Sequence, residues 1–218
     1  MRKGQRTKSR EQIAKSKEQR TTNRWGKGLV YVFTGEGKGK TSAALGVGVR
    51  AALSGMKVAM VCWYKEARWP ISELGLPKRI PNFKIFLAGK GFYIQDSRFK
   101  MQDSRIKKAP LLGGGQAVDD DSLDEHQKAA RAALEKAREL LQKVDILILD
   151  EVNNAIKDGL VDLNDVIDLL THRGKTHLVL TGRGADRKII SMADLVTEMK
   201  KVKHPFDLGQ KAVKGLDF

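Results

Sequence analysis

The chain has little of what disulfide frameworks, zinc sites and membrane spans require. Its 218 residues include a single cysteine, Cys62, so no internal disulfide can form, and its four histidines show no metal-ligand spacing. No run approaches the roughly 18 apolar residues of a membrane span, and the N-terminus lacks the apolar core of a signal peptide. The sequence therefore predicts neither a disulfide-stapled secreted domain nor a membrane protein, and we expect a cytoplasmic location.

Negative charge is also scarce, because 41 Lys and Arg residues face 26 Asp and Glu residues, for a formal net charge of +15. Residues 1–27 hold ten of the basic residues against two acidic ones and contribute about half of the excess. Such an arm is typical of a solvated tail, a lid over a phosphate site or a nucleic-acid-binding segment, and composition does not choose among them. We predict a basic arm over 1–27 and one domain over 28–218.

Apolar strands alternate with helical segments along this domain. We predict strands over 29–33, 57–63, 83–87, 145–149, 177–181 and 195–199. We predict helices over 42–53, 123–143, 163–170 and 187–193, and an irregular, basic stretch over 88–122. Several strands are apolar without alternation, which is typical of a parallel sheet covered on both faces. The sequence therefore predicts an α/β fold with a mainly parallel central sheet.

A glycine-rich turn over 34–41, Thr-Gly-Glu-Gly-Lys-Gly-Lys-Thr, follows the first predicted strand. Glycines let backbone N–H groups face phosphates, and the following helix adds its positive N-terminus. In this setting we expect Lys40 to reach phosphate oxygens and Thr41 to place its hydroxyl on Mg²⁺. The strict motif has a glycine five residues before Gly39, where this chain has Thr34, so the turn is a variant P-loop.

Two further turns follow later strands. Asp150 and Glu151 end an apolar strand, which is typical of the acidic partner that holds Mg²⁺ beside a P-loop, although the pair could instead cap the next helix. Arg183 stands between glycines after the next strand, which indicates a guanidinium aimed at the same cleft, as Arg187 could also be. The alternative is a glycine-rich turn with surface arginines. Because ligands of parallel sheets lie at the carboxyl ends of the strands, the three turns should converge.

These segments resemble those of the P-loop corrinoid adenosyltransferases. The matching blocks are 32–41, 148–153, 181–187 and the tail 202–215, and the basic arm is similar as well. The resemblance implies a three-layer P-loop NTPase fold of the RecA-like kind. It also implies a reaction in which Co(I) of a corrinoid attacks C5′ of ATP and displaces triphosphate, with Mg²⁺ as cofactor.

The resemblance further implies roles for individual residues. It makes Lys40 and Phe92 the catalytic residues, because Phe92 aligns with a family aromatic that displaces the lower axial ligand of the cobalt. Ile94 stands where a tryptophan is typical, and an isoleucine still excludes water while filling less volume. The metal would be held by Thr41 with Asp150 or Glu151. The implied substrate contacts are Phe92 and Ile94 toward the corrinoid, and Gly35, Glu36, Gly37, Lys38, Gly39, Lys40, Thr41, Ser42 and Arg183 toward ATP.

The resemblance also implies a homodimer, an electron donor such as a reduced flavoprotein, and an N-terminal helix that covers the active site as a lid. The alternative function is a RecA-like nucleic-acid-stimulated ATPase, which the charge, the arm and the acidic pair favour. That alternative predicts salt-dependent binding to nucleic acid. The chain contains no recognisable RNA- or DNA-binding module, so we do not expect nucleic acid as a partner.

Overall fold

The computed structural model describes residues 26–66, 71–90, 109–110, 116–117 and 122–217. The strands are β1 (Val30–Thr34), β2 (Val58–Cys62), β3 (Phe83–Leu87), β4 (Ala109–Pro110), β5 (Gln116–Ala117), β6 (Ile146–Asp150), β7 (His177–Thr181) and β8 (Leu195–Glu198). Six of them form one sheet in the order β3-β2-β6-β7-β1-β8, and every neighbouring pair is parallel. The predicted parallel central sheet is therefore confirmed.

Helices connect these strands and cover both faces of the sheet. They are α1 (Lys40–Leu53), α2 (Leu76–Arg79), α3 (Leu123–Leu140), α4 (Val152–Lys157), α5 (Leu163–Thr171) and α6 (Arg187–Met192), with short 3₁₀ turns at Ser72–Gly75 and Pro205–Leu208. Within the described ranges, no helix combines the length and apolar character that a membrane crossing requires.

The hydrophobic core is split by the sheet into two layers. On β6, Ile146 and Ile148 pack with the alanines of α1, whereas Leu147 and Leu149 pack with α3, α4 and α5 on the opposite face. Successive strand side chains point to opposite faces, so an apolar residue at every position of β6 supports both layers. This arrangement confirms the predicted three-layer α/β architecture.

The order of the strands places the three predicted turns at one edge of the sheet. β7 lies between β1, which precedes the glycine-rich turn, and β6, which ends in the acidic pair. Because all six strands are parallel, their carboxyl ends lie on the same side. One strand between the two is the arrangement of RecA-like P-loop folds, as the resemblance implied.

Most predicted elements are present within a few residues of their expected bounds. The prediction of an irregular stretch over 88–122 is wrong at one place, because β4 and β5 pair there in antiparallel fashion. The short helices α2 and α4, together with the 3₁₀ turn at Ser72–Gly75, were not predicted. Each is too short to show the apolar period of a helix, which takes about 11 residues to recognise.

Candidate active site

The turn after β1 is shaped by glycines that no other residue could replace cheaply. Gly35 and Gly39 have φ angles of 95° and 114°, in the region that favours glycine. A Cβ on Gly35 would lie 2.5 Å from the carbonyl oxygen of Met199, and the Gly37 amide donates to that same oxygen at 2.7 Å. The turn is thus closed on the segment after β8 and leads directly into α1.

Lys40 is the first residue of α1 and folds back over the turn. Its ammonium donates to the carbonyl oxygens of Gly35 at 2.9 Å and Gly37 at 2.8 Å. The residue is 7% exposed, and burial lowers the pKa of the ammonium below its ordinary value. The turn therefore holds one buried positive charge at its centre, which suits an anionic ligand.

Asp150, at the end of β6, makes hydrogen bonds that link β6 to α1 and β7. The residue is fully buried, and its Oδ1 accepts hydrogen bonds from the hydroxyls of Thr41 at 2.9 Å and Thr181 at 2.8 Å. Thr181 ends β7 and also accepts a hydrogen bond from the Glu151 amide at 2.8 Å. The structure thus brings Thr41 and Asp150 together beside the glycine-rich turn, where the sequence placed the metal site.

The other oxygen of Asp150 faces a lysine that the sequence reasoning missed. Lys65 Nζ lies 3.1 Å from Asp150 Oδ2 and 2.6 Å from Glu73 Oε1. Burial alone would lower the pKa of Lys65, but the Asp150 and Glu73 carboxylates raise it above its ordinary value. A signal was available, because Lys65 lies just beyond the carboxyl end of β2, the strand that neighbours β6.

Glu151 differs from Asp150 in both backbone and charge. Its φ of 63° and ψ of 17° are left-handed, a costly conformation for a residue with a side chain and one that clusters at functional sites. Among the described residues its side chain caps nothing on α4, so the helix-cap alternative is not confirmed. Burial and then the neighbouring Asp150 raise the pKa of Glu151 to about 7, although Lys40, Lys65 and Arg183 oppose the shift.

Arg183 reaches the glycine-rich turn from the loop after β7. Its backbone amide donates to Asn154 Oδ1 at 2.6 Å, and its Nη1 lies 3.2 Å from Glu36 Oε2. Gly182 allows this path, because its φ is 125° and an added Cβ would lie 2.6 Å from Asn154 Oδ1. The guanidinium therefore lies at the predicted cleft, whereas Arg187 begins α6 as an exposed residue.

The remaining predicted site residues divide into two groups. Lys38 forms an ion pair with Asp217 near the C-terminus, and Ser42 is exposed on the first turn of α1. Phe92 and Ile94 lie outside the described residues, as do the arm over 1–25 and most of the basic stretch over 98–122. Their roles stay predictions.

The donor set at Asp150 fits a magnesium ion that arrives with phosphates. The described part of the chain contains no group of three or more His, Cys, Asp or Glu side chains suited to hold a metal by themselves. Mg²⁺ at a phosphate site needs only one or two carboxylates, because the substrate's phosphates and water supply the other ligands. Thr41 and Asp150 provide that minimum.

Comparisons with known proteins show the family of this chain. The family model described as ATP:corrinoid adenosyltransferase BtuR/CobO/CobP matches residues 26–218. A corrinoid adenosyltransferase of Pseudomonas aeruginosa is 34% identical over 212 residues, which cover 95% of this chain and 89% of that protein. The corrinoid adenosyltransferase of Sinorhizobium sp is 34% identical over 197 residues, 88% of this chain and 81% of that protein. The corrinoid adenosyltransferase CobA of Salmonella typhimurium is 31% identical over 209 residues, 94% of this chain and 90% of that protein. The chain therefore belongs to the ATP:corrinoid adenosyltransferase family.

Proposed function

We propose that this chain, a transferase by its family, transfers the 5′-deoxyadenosyl group of ATP to Co(I) of a corrinoid and releases triphosphate, in adenosylcobalamin synthesis or salvage. The proposal rests on the convergence of the glycine-rich turn, Thr41 and Asp150 at one edge of the sheet. That convergence supports a binding site for a nucleoside triphosphate. The family does not favour the alternative of a nucleic-acid-stimulated ATPase.

The chemistry asks the protein for orientation and charge rather than for a nucleophile. The electron pair of Co(I) forms the bond to C5′, the C5′–O bond breaks, and the triphosphate leaves with that bond's electrons, so no proton moves. Lys38, Lys40 and Arg183 surround the turn and would neutralise the leaving triphosphate. The turn and α1 would fix the direction of the triphosphate, which orients C5′.

Thr41 and Asp150 would hold Mg²⁺. When bound, the ion neutralises part of the triphosphate charge. Between the two carboxylates, Asp150 is the better ligand, since its Oδ1 already lies 2.9 Å from the Thr41 hydroxyl. Glu151 is the weaker ligand, because burial and the neighbouring Asp150 raise its pKa to about 7, so Mg²⁺ would have to compete with a proton there.

One assay tests this function directly. The protein is incubated with ATP, Mg²⁺ and chemically reduced cobalamin, and the adenosyl–cobalt spectrum and tripolyphosphate are measured. We expect both products in equal amounts, and we expect Lys40→Ala to abolish them, because the buried ammonium is lost. Lys175→Ala, at an exposed lysine between α5 and β7, is the matched control. Phosphate release that RNA or DNA stimulates, without a corrinoid product, would instead support the ATPase.

The corrinoid side of the site is proposed from the resemblance. The segment with Phe92 and Ile94 begins just after residue 90, and its start is tied to the nucleotide side because the Gly89 amide donates to the Lys65 carbonyl at 3.2 Å. We expect Phe92→Ala to slow the use of Co(II) corrinoid under mild reduction more than the use of pre-formed Co(I). Equal losses in the two assays would contradict a role in removing the axial ligand.

The wider setting is proposed on the same ground. It comprises a homodimer in the cytoplasm, a reduced flavoprotein as electron donor, and closure of the arm over 1–27 as a lid that excludes water. Sedimentation equilibrium tests the dimer. Deletion of residues 1–25 tests the lid, and should lower adenosyl transfer while leaving affinity for tripolyphosphate unchanged.

A further inference from the structure

Two of the cations at the glycine-rich turn are paired with carboxylates of the chain itself. Lys38 forms an ion pair with Asp217, and Arg183 Nη1 lies 3.2 Å from Glu36 Oε2. The two carboxylates come from different places, because Glu36 belongs to the turn and Asp217 to the C-terminal segment. Both cations are ones that the proposed function assigns to the triphosphate.

Asp217 is held in place for this contact. Its Oδ2 accepts a hydrogen bond from the Val213 amide at 2.6 Å, and its own amide donates to the Val213 carbonyl at 2.8 Å. The side chain is only 18% exposed, and its Oδ1 faces the Lys38 ammonium. The last residues of the described chain thus form a tight turn that presents an anion to the P-loop.

The Glu36–Arg183 pair is built differently but points the same way. The backbone of Arg183 is fixed by a hydrogen bond to Asn154 and by the conformation of Gly182, and this fixed backbone positions the guanidinium. Glu36 is 68% exposed and lies between two glycines of the turn. A carboxylate and a phosphate oxygen make the same charge-assisted hydrogen bonds, so they compete for the same N–H groups.

We infer that the carboxylates of Glu36 and Asp217 compete with the triphosphate for Arg183 and Lys38. This competition weakens the binding of the triphosphate and thereby favours its release as product. The inference rests on the proposed function. ATP offers its nucleoside as well as its phosphates for binding, whereas the product triphosphate offers phosphates alone. Competition for the phosphate contacts therefore removes a larger share of the product's binding than of the substrate's.

Calorimetric titration with inorganic tripolyphosphate, without corrinoid, measures the effect. We expect Glu36→Gln and Asp217→Asn each to bind tripolyphosphate roughly two- to fivefold more tightly than wild type, the range for partly exposed ion pairs. Asp207→Asn is the first control, because Asp207 pairs with Lys201 at 2.9 Å in the same C-terminal segment. Glu198→Gln is the second, because its Cγ lies near Gly35, whereas the ion pairs described for Lys38 and Arg183 are with Asp217 and Glu36.

A double-mutant cycle separates competition from a change in fold or in net charge. Asp217→Asn should have no effect on tripolyphosphate affinity in a Lys38→Met background, because the cation it competes for is gone. Unchanged or weaker affinity in both single variants, or gains no larger than that of Glu198→Gln, would overturn the inference. If wild-type protein does not bind tripolyphosphate at all, the proposed phosphate site fails instead.

Discussion

At the scale of single residues, two adjacent carboxylates at the end of β6 acquire different properties from their surroundings. Asp150 is fully buried, with two threonine hydroxyls on one oxygen and the Lys65 ammonium near the other. Glu151 has a left-handed backbone, and its neighbours include Asp150, which disfavours a second negative charge. The environment therefore keeps one carboxylate paired and leaves the other ready to take a proton.

The raised pKa of Glu151 predicts a pH dependence of stability. Its pKa rises from 4.5 to about 7 in the folded protein, so the folded state holds the proton more tightly than the unfolded chain. This contribution is fully present below about pH 4.5 and is lost as the pH rises to about 7. We expect the free energy of unfolding in urea, with EDTA present, to fall less over that window in Glu151→Gln. Glu198→Gln, at an exposed carboxylate, is the control, and an unaltered slope in Glu151→Gln would contradict the assignment.

The ion pair of Lys65 predicts a large loss of stability when one partner is removed. Lys65→Met leaves the buried Asp150 without its cation, and such a change costs roughly 3 kcal/mol. Lys201→Met breaks an exposed pair with Asp207 and should cost less than about 1 kcal/mol. Urea unfolding checks both values. Adding Asp150→Asn to Lys65→Met should recover most of the loss, and equal costs for Lys65→Met and Lys201→Met would refute the pairing.

The residues that the sequence did and did not reveal differ in the range of their contacts. Lys40 and Thr41 were predictable because the turn and the helix start that position them are local in sequence. Asp150 was predictable because ligands of a parallel sheet bind at the carboxyl ends of its strands, which places Asp150 beside the glycine-rich turn. Lys65 follows the carboxyl end of β2 and could have been found by the same rule. Glu73 and Asp217 could not, since their partners come from other elements and nothing in their immediate sequence marks the pairing.

At the scale of elements, strands were easier to predict than short helices. β3 and β7 match their predicted bounds because each is a compact β-favouring run that begins directly after a polar residue, Asn82 or Thr176. The six-residue helix α4 carries two asparagines and follows a strained Glu151, so local helix propensity does not predict it. Packing of Val152 and Ala155 into the core stabilises it instead, and that contact depends on the finished fold.

The loop after β7 predicts that Gly182 is needed to place Arg183. In Gly182→Ala the new Cβ would lie 2.6 Å from Asn154 Oδ1, which holds the Arg183 amide, so the loop must move. We expect weaker binding of tripolyphosphate by about tenfold, or roughly 1.4 kcal/mol. Gly209→Ala is the matched control, because Gly209 also has a positive φ but its Cβ would meet nothing within 4 Å. Calorimetry should show wild-type affinity in Gly209→Ala, and equal losses in both would point to general strain.

At the scale of the whole molecule, the proposed phosphate site is built from the same elements that form the core. Thr41 on α1, Asp150 on β6 and Thr181 on β7 are joined by hydrogen bonds, and these elements are one helix on a face of the sheet and two strands within it. Unfolding the sheet separates the groups that we propose bind the triphosphate and its magnesium ion. A ligand of this site must therefore bind the native state and not the unfolded chain, which couples binding to stability.

This coupling predicts that tripolyphosphate raises the melting temperature. At a ligand concentration about 100 times the dissociation constant, the native state gains roughly 2.7 kcal/mol. For a chain of this size each kcal/mol shifts the melting temperature by about 2–4 °C, so we expect a rise of roughly 5–11 °C in a thermal scan. Lys40→Ala should lose most of the shift, because it removes the ammonium enclosed by the turn, whereas Lys175→Ala should retain it. A full shift in Lys40→Ala would mean that the anion binds elsewhere on this basic protein, and the phosphate site would then have to be sought outside the turn after β1.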